Sequence, residues 1–154
     1  MPFHPGLREF LSLLSARKIE FLVIGGVAYN HHAPPRATKD LDLWVRPTQG
    51  NVVELIKAIR DFGFPTDALV VDEIVSTSQV LMLGRVPTRI DLLTRPDGVD
   101  WAGAWRRRVD TRFDDVPVCV LSVRDLIASK RAAGRPRDIA DVAMLEKLKR
   151  RRKR

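Results

Sequence analysis

Residues 21–26 read Phe-Leu-Val-Ile-Gly-Gly, and residues 40–45 read Asp-Leu-Asp-Leu-Trp-Val. The first stretch is a short apolar run that ends in a glycine pair, which is typical of a buried strand that turns into the next element. The second stretch alternates polar and apolar residues with a period of two, which predicts a strand with one face in the core. Asp40 and Asp42 therefore project from the same face, while the leucines beside them point to the core.

The two aspartates place like charges side by side. Adjacent carboxylates repel each other, and one of them takes up a proton unless a positive charge compensates. A divalent cation is an economical solution, because Mg²⁺ prefers oxygen ligands, often one or two carboxylates together with substrate phosphates. Asp91 lies in a second alternating stretch, residues 88–93. If that strand pairs beside residues 40–45, three carboxylates meet on one face and can hold two metal ions.

The glycine pair stands where the first strand ends and where a short helix over residues 27–30 is predicted. Glycine lets the backbone approach a ligand closely, and a helix N-terminus offers free amides and a positive dipole end that suit phosphate groups. Gly25 and Gly26 alone are a weak signal, because most such pairs are only tight turns. Arg36 and Thr38 lie just before the acid pair and can orient phosphates or screen the carboxylates.

The rest of the chain alternates between helical and strand patterns. This predicts an α/β (α+β) domain, with a small mixed sheet flanked by helices and further helices at the C-terminal end. Ser122 and Asp125 have the spacing of a capping box, so a helix should begin there and Gly134 should end it. The other predicted helices cover residues 5–17, 48–62, 101–107 and a last one from 136, and the other predicted strands cover 68–75 and 78–84, as a hairpin, and 116–121.

The composition bounds the class of protein. A chain of 154 residues that is 45% hydrophobic and 30% charged predicts a single globular domain, which we assign to residues 1–148. No apolar run approaches the ~20 residues needed to span a membrane, so we expect no membrane partner. The start lacks the layout of a signal peptide, and the single Cys119 cannot form an internal disulfide. A reducing cytoplasm is therefore the expected compartment.

The net charge of +8 is concentrated in residues 149–154, which are all basic. Without these six charges the net charge falls from +8 to +2, so the body is only mildly basic. We expect the run to be a solvated, disordered tail that suits the phosphate backbone of RNA. A polyanionic protein or an acidic membrane surface fits it equally well. The other candidate contacts for RNA bases and phosphates lie together at Trp101, Trp105, Arg106, Arg107 and Arg108.

The order of these motifs resembles the nucleotidyltransferase superfamily related to DNA polymerase β. Gly25-Gly26 is followed, after thirteen residues, by Asp40-Leu41-Asp42 and later by a single carboxylate at Asp91. The resemblance extends over roughly residues 20–145. Lys130 and residues 135–141 (Arg-Pro-Arg-Asp-Ile-Ala-Asp) are similar to the same segment of minimal nucleotidyltransferases and of AbiEii-type toxins from toxin–antitoxin systems.

The resemblance implies an enzyme that uses Mg²⁺, or Mn²⁺ in its place, to transfer an NMP from an NTP to an acceptor hydroxyl. RNA such as a tRNA end, a small molecule as in antibiotic nucleotidyltransferases, and a protein hydroxyl all stay open as acceptors, and an antitoxin protein stays open as a partner. The alternative is a non-catalytic nucleic-acid-binding or regulatory module on the same fold. The implied roles are metal binding by Asp40, Asp42 and Asp91, and nucleotide binding by Gly25, Gly26, Arg36, Thr38 and Lys130.

Two details qualify these roles. The family's turn often reads Gly-Ser, whereas Gly26 offers no side-chain hydroxyl, so backbone amides would have to bind phosphate there. Asp138 and Asp141 lie three residues apart on the last predicted helix and therefore share one face. We expect these two acids to form ion pairs with nearby basic residues, namely Lys130, Arg135 or Arg137, rather than to bind metal.

Overall fold

The structure, a computed structural model, describes residues 4–152. Its strands are β1 (Phe21–Ile24), β2 (Asp40–Val45), β3 (Leu81–Leu83), β4 (Arg89–Leu93), β5 (Val109–Phe113) and β6 (Val116–Val120). Its helices are α1 (Pro5–Ala16), α2 (Gly25–His32), α3 (Gln49–Asp61), α4 (Val71–Ser76), α5 (Trp101–Arg106), α6 (Val123–Ala133) and α7 (Pro136–Arg152). The fold is therefore the mixed α/β class that the sequence predicts.

The strands form one six-stranded sheet in the order β3-β4-β2-β1-β6-β5. Strand β2 lies antiparallel to β1 and parallel to β4, and β1 lies parallel to β6. The register places Asp42 opposite Asp91 and Asp40 opposite Arg89. The adjacency of the two acidic strands, which the sequence only suggests, is therefore confirmed, and all three carboxylates lie on one face of the sheet.

The alternate side chains of β2 hold this strand in the core. Leu41 and Leu43 are fully buried, as are Phe10 and Leu14 on the apolar face of α1. Leu55, on the apolar face of α3, is 1% exposed and belongs to the same hydrophobic cluster. Because a shift of one residue would turn the leucines out of the core, the packing also fixes which way the two aspartates point.

The last two helices begin where the sequence predicts, and α6 also ends where it predicts. The Ser122 hydroxyl accepts from the Asp125 amide at 3.2 Å, which caps α6. Gly134 ends α6 in the left-handed conformation with φ +66°, and its amide donates to the Lys130 carbonyl oxygen at 3.0 Å. The chain then turns directly into α7, so that the two helices pack together as a hairpin.

Two local predictions are wrong. Residues 71–76, predicted as strand, form α4, because Asp72 and Glu73 favour a helix N-terminus and Ile74 packs against α3. The predicted hairpin over 68–75 and 78–84 therefore reduces to the short β3. Strand β5 was not predicted at all, because its alternation in burial is carried by only two apolar residues, Val109 and Phe113, at the edge of the sheet.

The basic end of the chain also differs from the prediction. Helix α7 continues to Arg152, so residues 149–152 form its last turn and are not a disordered tail. Residues 153–154 lie outside the described part of the chain. Among residues 4–152, no helix is both long enough and apolar enough to cross a membrane.

Candidate active site

Three carboxylates converge at the centre of the open sheet face. Oxygen atoms of Asp40, Asp42 and Asp91 all lie within 4.8 Å of one another. Strand β2 supplies the first two from alternate positions, and β4 supplies the third from the position opposite Asp42. This all-oxygen donor set fits a small, hard divalent cation such as Mg²⁺ or Mn²⁺.

The raised pKa values of two of these carboxyl groups show that the cluster lacks compensating positive charge. Burial, the charges of Asp40 and Asp91 and a hydrogen bond with Asp91 together raise the pKa of Asp42 to about 7. Burial and the neighbouring Asp91 also raise the pKa of Asp40. Both shifts have the direction expected for carboxyl groups that share one desolvated site. A bound cation would reverse them, because it favours the ionised form.

Arg89 is the nearest cation to the three acids, and sequence reasoning missed it. Its Nε and Nη2 donate to the two oxygens of Asp91, both at 3.0 Å, and Nη2 lies 3.8 Å from Asp40. Each carboxylate oxygen can accept more than one bond, so this fork orients Asp91 and leaves it able to bind another group. A signal existed: Arg89 and Asp91 are two residues apart on a strand, and therefore share a face.

The glycine turn lies directly against the acids. Gly25 has a φ of +65°, and a β-carbon placed on it would lie 2.2 Å from Oδ2 of Asp42. Only glycine fits this position, for both conformational and steric reasons. The turn leads into α2, whose N-cap residue Ile24 offers no side-chain acceptor to the first amides of the helix. The start of α2 thus presents amides beside the carboxylate cluster, an arrangement that suits a phosphate group near a metal.

The carboxylates and the turn share one cavity of about 500 Å³. Its wall also contains Arg89, Arg95, Arg135 and Arg137, so four arginines line the same cavity as the acids. This volume lies within the range of small-molecule and cofactor sites. All eight residues that the sequence singles out line this cavity: Gly25, Gly26, Arg36, Thr38, Asp40, Asp42, Asp91 and Lys130.

Lys130 lies at the back of the cavity in a buried ion network. Its Nζ is 2.8 Å from Asp141 and 3.6 Å from Asp138, and all three residues are at most 6% exposed. Arg36 donates to Asp141 at 2.6 Å, and Arg135 donates to Asp138 at 2.7 Å. The expectation that these two acids form ion pairs is therefore confirmed. Burial alone would raise the pKa of Asp141, but the hydrogen bonds from Arg36 and Lys130 outweigh it and hold that pKa below its usual value.

Most residues of the predicted arginine and tryptophan cluster make contacts within the protein, and Arg106 is exposed. Arg107 donates to both oxygens of Asp125, at 3.0 and 2.8 Å, and so ties α5 to α6. The guanidinium of Arg108 lies 4.1 Å from the centre of the Trp105 ring. Trp105 also stacks on Trp101 at 5.2 Å. These contacts occupy most of the groups that the sequence offers to nucleic acid.

Comparison with known proteins assigns this arrangement to a family. Residues 6–150 match the family described as "Nucleotidyltransferase of unknown function (DUF6036)". The chain belongs to this nucleotidyltransferase family. A search of curated proteins found no match. The family match confirms the resemblance to the nucleotidyltransferase superfamily that the sequence motifs indicate.

Two solved nucleotidyltransferases share the fold of this family member. One is the lincosamide antibiotic adenylyltransferase LnuA with lincomycin bound, at 12% identity and a TM-score of 0.61, where the match covers 95% of this chain and 98% of that chain. The other is ANT(2")-Ia in complex with adenylyl-2"-tobramycin, at 14% identity and a TM-score of 0.59, with 93% and 90% covered. At such low identity the likeness shows the fold alone.

Proposed function

We propose that this nucleotidyltransferase moves a nucleoside monophosphate from an NTP to an acceptor hydroxyl, with Mg²⁺ or Mn²⁺ as cofactor. The observation that carries the proposal is the convergence of Asp40, Asp42 and Asp91 within 4.8 Å, directly against the Gly25 turn. Carboxylates for metal and amides for phosphate are the two requirements of nucleotide binding at a metal centre. Here they share one cavity.

In the proposed reaction, the acceptor oxygen forms a bond to the α-phosphorus, and the bond from that phosphorus to the bridging oxygen breaks. Pyrophosphate leaves, and the hydroxyl proton passes to Asp91 or to solvent. When bound, the metal supplies charge stabilisation for the attacking and leaving oxygens. The fork from Arg89 keeps the Asp91 carboxylate turned into the cavity, so its free lone pairs remain available. The protein's own contribution is positioning and charge, without a covalent intermediate.

The phosphates would lie at the start of α2. Gly25 and Gly26 bring the backbone close to the ligand, and Arg36 and Thr38 border the same turn. Lys130 faces the same cavity, but its ammonium group is already held by two carboxylates. The other cationic groups of the cavity wall, among them Arg137, are then available for the outer phosphates.

Two acceptors deserve a direct comparison. A small hydroxyl compound is favoured by the fold, since one of the two solved enzymes of this fold holds lincomycin and the other holds adenylyl-2"-tobramycin. RNA is favoured by the basic last turn of α7. That turn lies roughly 20 Å from Arg137 at the cavity, counting ~1.5 Å per residue along the helix. An acceptor that uses both places must therefore be long and polyanionic.

The decisive test incubates the full chain with α-labelled NTPs, Mg²⁺ and three acceptor sets: total RNA, lincomycin with tobramycin, and the protein itself. We expect label on one set, and none in the presence of EDTA. The Asp42→Asn variant should lose transfer, whereas Asp67→Asn, an exposed acid outside the cavity, should keep it. No transfer to any set, together with no metal-dependent NTP binding by calorimetry, would overturn the proposal. Salt-sensitive RNA binding without Mg²⁺ would instead favour the non-catalytic alternative.

A further inference from the structure

The loop over residues 33–39, between α2 and β2, is fixed from two sides. The side chain of Asn30 holds the backbone of the loop. Its Nδ2 donates to the Arg36 carbonyl oxygen at 2.8 Å, and its Oδ1 accepts from the Arg36 backbone amide at 2.9 Å. Helix α7 holds the side chain of Arg36, because Arg36 donates twice to the Asp141 carboxylate, at 2.6 and 3.1 Å. The Arg36 guanidinium also lies 5.0 Å from the centre of the Tyr29 ring. The loop is therefore clamped to the body of the protein.

The acid at the centre of this clamp is buried and compensated. Asp141 is 3% exposed, and Lys130 donates at 2.8 Å to Oδ2, the same carboxylate oxygen that accepts from Arg36 Nη2 at 2.6 Å. A buried carboxylate with two cationic partners is held in one orientation, because losing either partner leaves uncompensated charge. Asp141, on α7, thus links Lys130 of α6 to Arg36 of the loop and fixes the loop against both helices.

The clamped loop carries Thr38 onto the glycine turn. A β-carbon placed on Gly26 would lie 2.6 Å from Oγ1 of Thr38 and 3.0 Å from its Cβ. The space above Gly26 is therefore filled by the threonine side chain. The hydrogen bond from the Thr38 hydroxyl to the Asp40 carbonyl oxygen is long, at 3.4 Å, so the proton is weakly held. The hydroxyl lies in the cavity wall beside the first amides of α2.

We propose that Thr38 supplies the hydroxyl that contacts the nucleotide phosphates at the start of α2, and that Asp141 is the positioning residue that holds it there through Arg36. The proposal rests on the proposed function, since it needs a nucleotide in this cavity. It accounts for the glycine at position 26, because any side chain there would displace Thr38. It also gives Lys130 a different task, which is to neutralise Asp141 and not to touch the triphosphate.

The first experiment compares two variants, Thr38→Ser, which loses the methyl group, and Thr38→Val, which keeps the shape of threonine. The first keeps the hydroxyl, and the second replaces it with a methyl group. The measurement is the dissociation constant, by calorimetry with Mg²⁺, of the α,β-methylene analogue of whichever of ATP, GTP, CTP or UTP the wild type binds. We expect Thr38→Ser to bind within about threefold of wild type and Thr38→Val at least about tenfold more weakly, because a hydrogen bond to a charged group is lost.

The second experiment tests positioning. The ratio of the Val to the Ser dissociation constant is measured again in an Arg36→Met background and in an Asp141→Asn background. If Asp141 and Arg36 position the Thr38 hydroxyl, the ratio should fall from about ten towards one in both backgrounds. This holds even if the Arg36→Met or Asp141→Asn change itself lowers nucleotide affinity. A merely structural role would lower stability, which thermal melting records, and would leave the ratio unchanged.

The outcomes separate the two proposals. Wild-type protein that binds none of the four analogues would overturn the nucleotide site itself. Wild-type binding with equal affinities for the Ser and Val variants would overturn the role of Thr38 alone. A tenfold ratio that persists in both backgrounds would overturn the positioning role of Asp141.

Discussion

The two ends of α7 carry charge of opposite sign and in opposite settings. At the first end, Asp138 and Asp141 are 1% and 3% exposed and are held by cations from α6, from Arg135 just before α7 and from the 33–39 loop. At the last end, residues 149–152 are basic and exposed, and the described ion pair there, from Arg150 to Glu146, spans 3.9 Å. Helix α7 therefore has buried ion pairs at its first end and exposed basic side chains at its last end.

The difference shows that the number of charged residues in a segment does not predict how much they contribute to stability. Exposed ion pairs are worth little, whereas removal of one partner from a buried pair leaves a charge without water or a counterion. We therefore expect substitutions at the cavity end of α7 to change stability and nucleotide binding. Substitutions at the basic end should change only binding to polyanions.

The largest effect is expected from Asp42→Asn. Removing this carboxylate takes away a central ligand of the proposed metal, so labelled NMP transfer should fall by about 10²–10³-fold, the range found for groups that stabilise charge in a transition state. The readout is transfer per minute with Mg²⁺, next to Asp67→Asn. Activity within tenfold of wild type would contradict the metal site.

The second prediction concerns Lys130→Met, which removes the cation and keeps the aliphatic volume. Asp138 and Asp141 then lose a buried partner, and the free energy of unfolding at pH 7 should fall by about 3–5 kcal/mol. Lys147→Met, at an exposed position of α7, is the matched control and should change it by less than about 0.5 kcal/mol. Denaturant unfolding measures both.

The difference in stability between wild type and Lys130→Met should depend on pH. The cationic partners hold the pKa values of Asp138 and Asp141 below their usual range despite the opposing effect of burial. Because the folded values are lower than the unfolded ones, this stabilisation is complete above the unfolded pKa of about 3.9 and is lost as the pH falls through the folded values. The stability gap between wild type and Lys130→Met should therefore shrink upon acidification below about pH 4. A gap that widens would refute the assigned ion pairs.

A third prediction contrasts two glycines. Gly25→Ala forces a β-carbon against Asp42 at a φ of +65°, so we expect a loss of about 1–3 kcal/mol in stability, with reduced NTP binding. Gly50→Ala is the control: it lies in α3, and a β-carbon there has no atom within 4 Å. That change should leave binding unchanged and should raise stability slightly, by at most about 1 kcal/mol. Melting curves and calorimetry distinguish the two.

The smallest effect on the folded protein is expected from deleting residues 149–154. The described side chains among them, those of residues 149–152, lie at a solvated helix end, so stability and NTP affinity should stay within about 0.5 kcal/mol of wild type. If RNA is the acceptor, RNA binding should weaken and its dependence on salt should become less steep. A large loss of NTP binding would show instead that the basic end reaches the cavity.

Much of the site follows from local sequence. The apolar run before Gly25 and the alternation around Asp40 and Asp42 predict two strands and one acidic face, since side-chain direction in a strand depends only on its period of two. Ser122 and Gly134 predict the ends of α6 by capping chemistry, which is equally local. The prediction is wrong at residues 71–76, where burial of Ile74 against α3 favours a helix over the strand that the local pattern suggests.

The sequence by itself determined that this protein has an acidic strand after a glycine turn, and hence the family resemblance and the metal hypothesis. Only the tertiary structure decided that β4 lies beside β2, that Arg89 orients Asp91, and that Lys130 faces two buried acids instead of the solvent. It also decided that Thr38 fills the space above Gly26. The physical reason is that the direction of a side chain is set within a few residues, whereas the partner of a charge is set by packing between distant elements.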